Sequence, residues 1–187
     1  NVGKSTLINR LLNSNELQIS EYPGTTKKII EKNVIWKEQE FILLDTAGVY
    51  RKKNFNFNLL VQATRFSEII ILILDSSIDK LDKIHKKLAS HTLKIGKGLI
   101  IIFNKWDLIE NKKNKRKELE KIIKNLLPQF DKRKLLFISA LRDEKFVKIL
   151  KFSMEIKRLL KTTMSTSKLN KWLRETIKHN PPIRIRG

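Results

Sequence analysis

Cysteine is absent from this sequence of 187 residues, which excludes disulfide bonds, thiolate metal sites and a catalytic thiol. No apolar run approaches the roughly 18 residues that a membrane-spanning helix needs, so no membrane span is expected. Acidic residues are also few, with 19 Asp and Glu against 40 Lys and Arg. The hydrophobic content of 41% nevertheless suffices for a buried core, so a wholly disordered chain is excluded. At this length we expect one full domain and part of a second.

The formal net charge is +21 at pH 7, which favours a polyanionic partner. The excess is concentrated late in the chain: residues 111–134 hold ten basic and three acidic residues, and residues 145–187 hold twelve and two. Two interpretations stay open. The basic surface binds the phosphates of an RNA partner, or it reflects compositional drift in a chain rich in Lys, Asn and Ile. Aromatic residues are too sparse among the basic stretches to favour stacking on single strands.

Short apolar runs alternate with helix-length amphipathic segments along most of the chain. The strand-like runs are 33–36, 41–44, 69–74, 99–103 and 135–138, and the first two, separated by a polar segment, predict a hairpin. The amphipathic segments are 4–12, 59–66, 80–95, 115–126 and 144–160. This alternation predicts an α/β sheet with helices on both faces. A polar linker then places a domain boundary near residue 163, before a helix at 168–178 with Ser167 as its predicted N-cap.

The first residues carry the end of a phosphate-binding loop. Residues 1–6 (NVGKST) match the last part of the pattern G-x-x-x-x-G-K-[ST]. Gly3 lets the backbone approach a phosphate, Lys4 reaches the β- and γ-phosphates, and the Ser5 hydroxyl ligates Mg²⁺. The helix from Lys4 adds N–H groups and the positive end of its dipole. We therefore expect the chain to be a piece of a longer protein, in which the first strand and the start of this loop precede residue 1.

Two more loops suit the same ligand. Asp45 follows the apolar run 41–44, and an Asp at the end of a buried strand can hold Mg²⁺ through water. Gly48, three residues further on, can present its N–H to a γ-phosphate and act as the hinge of a mobile loop. Thr26, in the polar segment PGTT, can offer Mg²⁺ a hydroxyl. Each segment, taken alone, also fits an ordinary turn.

A base-reading loop follows the apolar run 99–103. The Asp107 carboxylate can accept two N–H donors at once, and the guanine edge offers such a pair whereas adenine does not. Lys105 can cover the base plane with its stem, and Asn104 can tie this loop to the phosphate loop. The segment Ser139-Ala140-Leu141 follows the next strand, and its backbone N–H can meet the guanine carbonyl.

All five segments lie in chain order at strand ends, where open α/β sheets bind their ligands. With them the sequence resembles the P-loop GTPases of the translation-factor class. That resemblance implies a P-loop NTPase three-layer sandwich with a mostly parallel sheet. It assigns nucleotide binding to Asn1, Val2, Gly3, Lys4, Ser5, Thr6, Asp45, Thr46, Ala47, Gly48, Asn104, Lys105, Asp107, Ser139 and Ala140. It assigns catalysis to Lys4, Thr26 and Gly48, and Mg²⁺ to Ser5, Thr26 and Asp45.

Within that class the sequence looks most like the Der (EngA) family of bacterial tandem GTPases. The segments NVGKSTLINRLL, PGTT, DTAG, GKGLIIIFNKWDL and FISAL resemble the second GTPase domain of that family. TSKLN at 166–170 and HNPP at 179–182 resemble the opening of its C-terminal α+β KH-like domain. We therefore predict a GTPase domain at 1–162 and the start of a KH-like domain at 163–187. Lys27 and Lys28 replace the Arg-Asp pair usual in the family, which leaves the behaviour of the first switch open.

The resemblance implies a cytoplasmic switch that binds and hydrolyses GTP and acts in assembly of the large ribosomal subunit. Its implied ligands are GTP, GDP and Mg²⁺, and its implied partners are ribosomal RNA, an upstream GTPase domain and the rest of the KH-like domain. Two alternatives remain open. One is a nucleotide-dependent RNA-binding module with little turnover of its own. The other is a tRNA-modification GTPase related to TrmE, against which the segments at 166–170 and 179–182 argue.

Val49 follows Gly48, at the position where Ras-like enzymes carry a Gln that orients the attacking water. Since Val cannot hydrogen-bond water, we expect backbone groups of Thr26 and Gly48 to hold it. Relatives with Asn at the position of Asn1 use a potassium ion near the β- and γ-phosphates, where a cation stabilises developing charge. Asn1 is accordingly a predicted K⁺ ligand, with a loop-shaping role as the alternative.

Overall fold

A computed structural model describes residues 2–13, 18–20, 30–45, 61, 64–142, 147–162 and 164–181. Its helices are α1 (Lys4–Leu12), α2 (Lys83–Lys94), α3 (Lys112–Leu126), α4 (Val147–Leu160) and α5 (Thr166–His179). Its strands are β1 (Gln18–Ser20), β2 (Ile30–Trp36), β3 (Gln39–Asp45), β4 (Ile69–Asp75), β5 (Gly98–Asn104) and β6 (Leu135–Phe137). Short 3₁₀ turns occupy Trp106–Leu108 and Lys132–Lys134.

The strands of the described part form two three-stranded sheets. The first is antiparallel in the order β1-β2-β3, and the predicted hairpin turns at Lys37 and Glu38, both of which have positive φ. The second is parallel in the order β4-β5-β6, with Asp75 opposite Asn104 at the end of the β4–β5 ladder. The parallel sheet therefore brings its strand ends, and the loops that follow them, to one edge.

The parallel sheet is buried on both faces, as its continuous apolar strands predict. Alternate residues of β5 enter two different core clusters. Ile100 and Ile102 pack with α1, α4 and residues of the antiparallel sheet, whereas Ile101 and Phe103 pack with α2 and α3. The result is the three-layer α/β arrangement that the sequence predicted, with helices on both sides of a central layer.

Side-chain caps set where two helices begin, and they move two predicted starts. Asp82 accepts hydrogen bonds from the amides of Ile84 and His85, so α2 begins at Lys83 rather than at residue 80. Asn111 accepts from the amide of Asn114, so α3 begins three residues before the predicted 115. The strand predicted to reach 138 ends at Phe137. Most of the helix predicted at 59–66 lies outside the described residues.

The last helix also begins earlier than predicted. Ser167 was the wrong N-cap, because the Ser165 side chain accepts from the Lys168 amide and α5 starts at Thr166. All of α5 is exposed or half-exposed, including its apolar residues Leu169, Trp172, Leu173 and Ile177. The boundary near 163 stays a prediction. Among the described residues, no helix combines the length and the apolar character that crossing a membrane requires.

Candidate functional site

The start of α1 is built around a glycine. Gly3 has φ of 90°, in the left-handed region that glycine adopts without strain, and caps the helix without a side-chain hydrogen bond. A β-carbon at this position would collide with the side-chain amide of Asn104. Conformation and close packing therefore both require glycine here. The backbone N–H groups of the first turn face outward at the positive end of the helix dipole, which suits a phosphate.

Asn104 joins this helix start to the loop after β6. Its side-chain amide nitrogen donates to the carbonyl oxygen of Val2 at 2.8 Å, and its side-chain oxygen accepts from the Ala140 amide at 2.8 Å. The residue is 3% exposed, and both of its polar ends have a partner. One buried side chain therefore holds two loops at a fixed separation. They are the loop before α1, at Val2 (the phosphate-side loop), and the loop after β6, at Ala140 (the base-side loop).

Asp107 lies in the short 3₁₀ turn after β5, and its side chain is 15% exposed. A hydrogen bond from the Ser139 side chain holds the pKa of the Asp107 carboxyl below its usual 3.8 despite the opposing effect of burial. The charges of Arg142 and Lys112 act in the same direction. The carboxylate is therefore ionised at neutral pH and accepts hydrogen bonds only, which is the form that pairs with two N–H donors of a base.

The base-side loops are supported from below by backbone and aromatic contacts. The Trp106 amide donates to the Ile138 carbonyl at 3.1 Å, and the Ile138 amide donates to the Phe103 carbonyl at 3.0 Å. The Trp106 ring lies 4.6 Å from the Phe137 ring, centroid to centroid. These contacts fix the loop after β5 against the loop after β6, so Asp107 and Ser139 face one another.

Arg10, on α1, lies beside the site but is not among the residues predicted from the sequence. Its guanidinium donates to the carbonyl oxygens of Ala140, at 3.3 Å, and Leu141. An open cleft of about 430 Å³ lies beside this contact, and its lining residues are Ser5, Thr6, Asn9, Arg10, Asn13, Ala140 and Leu141. Arg10 lies one helical turn after Thr6, and this spacing from the phosphate-binding motif is the sequence signal that could have identified it.

The structure describes only part of the predicted site. Val2, Gly3, Lys4, Ser5, Thr6, Asn104, Lys105, Asp107, Ser139 and Ala140 lie within the described residues. Asn1, Thr26, Thr46, Ala47 and Gly48 lie outside them, as does the side chain of Asp45 at the end of β3. The roles of all these residues stay predictions. Within the described part, no three acidic or histidine side chains lie close enough together to hold a metal. The Ser5 hydroxyl is the one predicted Mg²⁺ ligand whose side chain is described there.

The described geometry separates two chemistries along one edge of the fold. At the start of α1, a lysine and outward-facing backbone N–H groups form a cationic end suited to phosphates. At the other end, the ionised carboxylate of Asp107 and the Lys105 side chain are suited to a purine with adjacent N–H donors. Asn104 links the two ends. The two ends together have the chemistry that a phosphorylated guanine nucleoside would need, and they lie beside a parallel sheet with helices on both faces.

Comparison with known proteins places the chain in a class and then beside particular relatives. A family model described as 50S ribosome-binding GTPase matches residues 1–105, more than half of the chain, so the chain belongs to that family of P-loop GTPases. Over its whole length it is similar to proteins named GTPase Der. It is 32% identical over 97% of its length to the one from Pelodictyon phaeoclathratiforme and 31% identical over 100% to one from Desulfitobacterium hafniense. The family resemblance and the fold class predicted from the motifs are thereby confirmed.

Solved structures agree with this assignment. A crystal structure of Era in complex with MgGDPNP and nucleotides of 16S ribosomal RNA matches 83% of the chain, with 25% identity and a TM-score of 0.63. The Y63A variant of Aquifex aeolicus Era bound to GDP·AlF₄⁻ matches 83%, with 27% identity and a TM-score of 0.61. Each match covers 53% of the Era chain. The chain spans less than half the length of the curated relatives, 43% and 44% of the two named above.

Proposed function

We propose that this chain binds GTP and GDP and hydrolyses GTP to GDP and phosphate with the aid of Mg²⁺. The observation that carries the proposal is the buried Asn104, which holds the phosphate-side backbone at Val2 and the base-side backbone at Ala140 with one side chain. Family membership supports the same function, as does the likeness to structures of Era in complex with MgGDPNP and with GDP·AlF₄⁻.

The proposal gives each predicted site residue a role that its chemistry supports. Asp107 reads the guanine edge, and adenine would leave its half-buried carboxylate without the two N–H donors that guanine supplies, which penalises the wrong base. Lys4 and the amides at the start of α1 hold the β- and γ-phosphates, where negative charge grows in the transition state. Mg²⁺, when bound, would neutralise part of that charge, with Ser5, Thr26 and Asp45 as its proposed ligands. The catalytic role of Thr26 and Gly48, namely to hold the attacking water through their backbones, belongs to this proposal.

A potassium ion at Asn1 is a separate part of the proposal. A monovalent cation beside the phosphates would offset the charge for which other GTPases use an arginine. Turnover of the intact protein should then be several-fold faster in K⁺ than in Na⁺ at equal ionic strength, and Asn1→Ala should remove that difference. Equal rates in the two salts would leave Asn1 with a loop-shaping role only.

We further propose that nucleotide turnover serves assembly of the large ribosomal subunit in the cytoplasm. The description of the matched family and the name GTPase Der of the full-length relatives support this role. The net charge of +21 suits ribosomal RNA as partner. An upstream GTPase domain and the rest of a KH-like domain would complete the protein, since the relatives are more than twice as long.

The test is GTP turnover by the intact protein with and without purified large ribosomal subunits. We expect phosphate release that depends on Mg²⁺ and changes in rate when the subunits are added. Tight GTP binding with no phosphate release under either condition would instead support the RNA-binding module with little turnover. Stimulation by tRNA-modification partners, and none by ribosomal subunits, would support the relation to TrmE.

A further inference from the structure

Asp75 lies at the end of β4, directly opposite Asn104 in the parallel ladder. Its carboxylate has two separate sets of partners. One oxygen accepts from the Ser77 amide at 2.9 Å and the Ser77 hydroxyl at 2.8 Å. The other oxygen lies 2.6 Å from the Nζ atom of Lys105. The carboxylate is thus fixed by its own turn on one side and pairs with the base-reading loop on the other.

The neighbouring residue fixes the same loop through its backbone. Ser76 donates to the Asn104 carbonyl oxygen from its amide at 2.9 Å and from its hydroxyl at 2.6 Å. Ser76 is fully buried, so this contact does not exchange readily with water. The turn at 75–77 therefore holds both the backbone of Asn104 and the side chain of Lys105.

Lys105 combines an unusual backbone conformation with a half-exposed side chain. Its φ of 63° lies in the left-handed region, which non-glycine residues rarely adopt. Its side chain is 37% exposed, against 23% for Asp75, and a lysine at that exposure has several rotamers available in water. The pair with Asp75 selects one of them. Burial raises the pKa of the Asp75 carboxyl, but the bonds from Lys105 and Ser77 outweigh that effect and hold the pKa below its usual 3.8.

An ordinary surface ion pair is the simpler interpretation, and such pairs contribute little to stability. Two observations indicate that the pair between Asp75 and Lys105 also positions the lysine. The Asp75 carboxylate is held by two hydrogen bonds from Ser77 that do not involve the lysine, whereas a surface pair usually joins two mobile side chains. Its partner is also the residue between Asn104 and the turn that carries Asp107, so a change in its rotamer acts directly at the base-reading loop.

We propose that Asp75 is a positioning residue for the guanine site, which directs the Lys105 stem along the plane of the bound base. This inference rests on the proposed guanine nucleotide binding. Because the lysine is held before the nucleotide arrives, less conformational entropy is lost on binding. Asp75 itself does not touch the nucleotide, and its effect passes through Lys105.

The test is a double-mutant cycle in the intact protein, with dissociation constants for GDP and IDP measured by calorimetry. Asp75→Asn should weaken GDP binding about tenfold, the size expected for loss of a hydrogen bond to a charged group. IDP binding should weaken by the same factor, because guanine and hypoxanthine share the base plane that the lysine covers. In a Lys105→Met background, Asp75→Asn should add nothing further.

Three further variants and a folding check make the result decisive. Asp75→Glu, which keeps the charge, should recover most of the affinity, and Ser77→Ala should cause a smaller loss than Asp75→Asn. Asp79→Asn removes an exposed carboxylate that lies 3.1 Å from the Nζ atom of Lys115, and it should leave GDP binding unchanged. Thermal melting identifies any variant that fails to fold, in which case the glutamate and Ser77 variants carry the test.

Two results would overturn the inference: GDP binding by Asp75→Asn within twofold of wild type, or an equal loss in the wild-type and Lys105→Met backgrounds. The second result would show that Asp75 acts on the fold and not through the lysine. If the wild-type protein bound neither GDP nor IDP, the proposed function would fail instead. The two failures are therefore distinguishable.

Discussion

At the scale of single residues, Asp107 is the group that we propose selects the base. Its carboxylate is ionised and accepts from Ser139, and it has the geometry to accept two more hydrogen bonds from guanine. Asp107→Asn replaces one acceptor with a donor and should weaken GDP binding about a hundredfold or more. Xanthine carries a carbonyl where guanine has its amine, so XDP binding should rise. Fluorescent nucleotide titration measures both constants.

The matched control for that change is Glu110→Gln, which neutralises an exposed carboxylate three residues away. It should leave the ratio of GDP to XDP affinity as in the wild type. An Asp107→Asn protein that kept its preference for GDP would show that guanine is recognised elsewhere.

Asn104 gives a second prediction at this scale. Asn104→Ala leaves the Val2 carbonyl and the Ala140 amide without their partner, which should lower the free energy of unfolding by about 1–3 kcal/mol. Since the two loops would also lose their fixed separation, GDP should dissociate at least several-fold faster. Urea unfolding and stopped-flow release of labelled GDP test the two effects. Asn125→Ala, on the exposed side of α3, should change neither quantity. A GDP dissociation rate in Asn104→Ala equal to that of the wild type would contradict the linking role of Asn104.

Some of these residues could be predicted from the sequence as members of the site and others could not, for a physical reason. Asp107 and Asn104 stand in a motif whose spacing carries its own chemistry. Asp75 follows an apolar strand just as Asp45 does, so strand-end position was available as a signal. What the sequence does not contain is the pairing of β4 with β5, which brings Asp75 to the residue after Asn104. Contacts between segments 30 residues apart depend on that register, and the left-handed backbone of Lys105 depends on the loop around it.

At the scale of elements, the close approach of α4 to β5 depends on a glycine. A β-carbon on Gly98 would lie 3.0 Å from Ile69 and would collide with the Ile156 side chain. Gly98→Ala should therefore lower the free energy of unfolding by about 1–3 kcal/mol, the usual cost of overpacking a core. Urea unfolding followed by tryptophan fluorescence measures it. In an Ile156→Ala background the added cost should shrink, because the colliding methyl is gone.

Gly96 provides the comparison for this prediction. A β-carbon there meets nothing within 4 Å, but φ is 71°, so Gly96→Ala should cost about 1 kcal/mol from the backbone alone. That cost should be the same with and without Ile156→Ala. If Gly98→Ala also proved independent of Ile156, the tight contact between helix and strand would not be the cause.

The existence of most elements could be predicted from periodicity, but their starts could not. The apolar runs of β4 and β5 appear almost as predicted, since a strand buried on both faces leaves a continuous apolar signature. The starts of α2 and α3 depend on which of several polar residues turns its side chain onto the backbone. Asp82 and Asn111 do so, and the same holds for Ser165 rather than Ser167 at α5. Competition between neighbouring caps is decided by local geometry that composition does not reveal.

At the scale of the whole molecule, the question is whether the charge of +21 is arranged for RNA or merely abundant. On α3, the exposed Lys113, Lys117, Lys121 and Lys124 follow the spacing i, i+4, i+8 and i+11, so they form one stripe on the helix. On α2, the lysines at 83, 86, 87 and 94 are equally exposed. Two variants that change either set to glutamine remove the same charge from different places.

We expect the α3 variant to weaken binding of the intact protein to large ribosomal subunits more than the α2 variant does. The slope of log K against log salt is negative, and neutralising four phosphate contacts should make it less steep by about 3, since each contact contributes roughly 0.7–0.9. Binding measured between low and moderate salt gives this slope for wild type and for each variant. Equal losses in the two variants would mean that the basic residues act only through their total number, which is the outcome that compositional drift predicts. A loss confined to α3 would mean that a defined face of the protein meets the RNA backbone, because long-range attraction alone does not depend on which helix carries the charge.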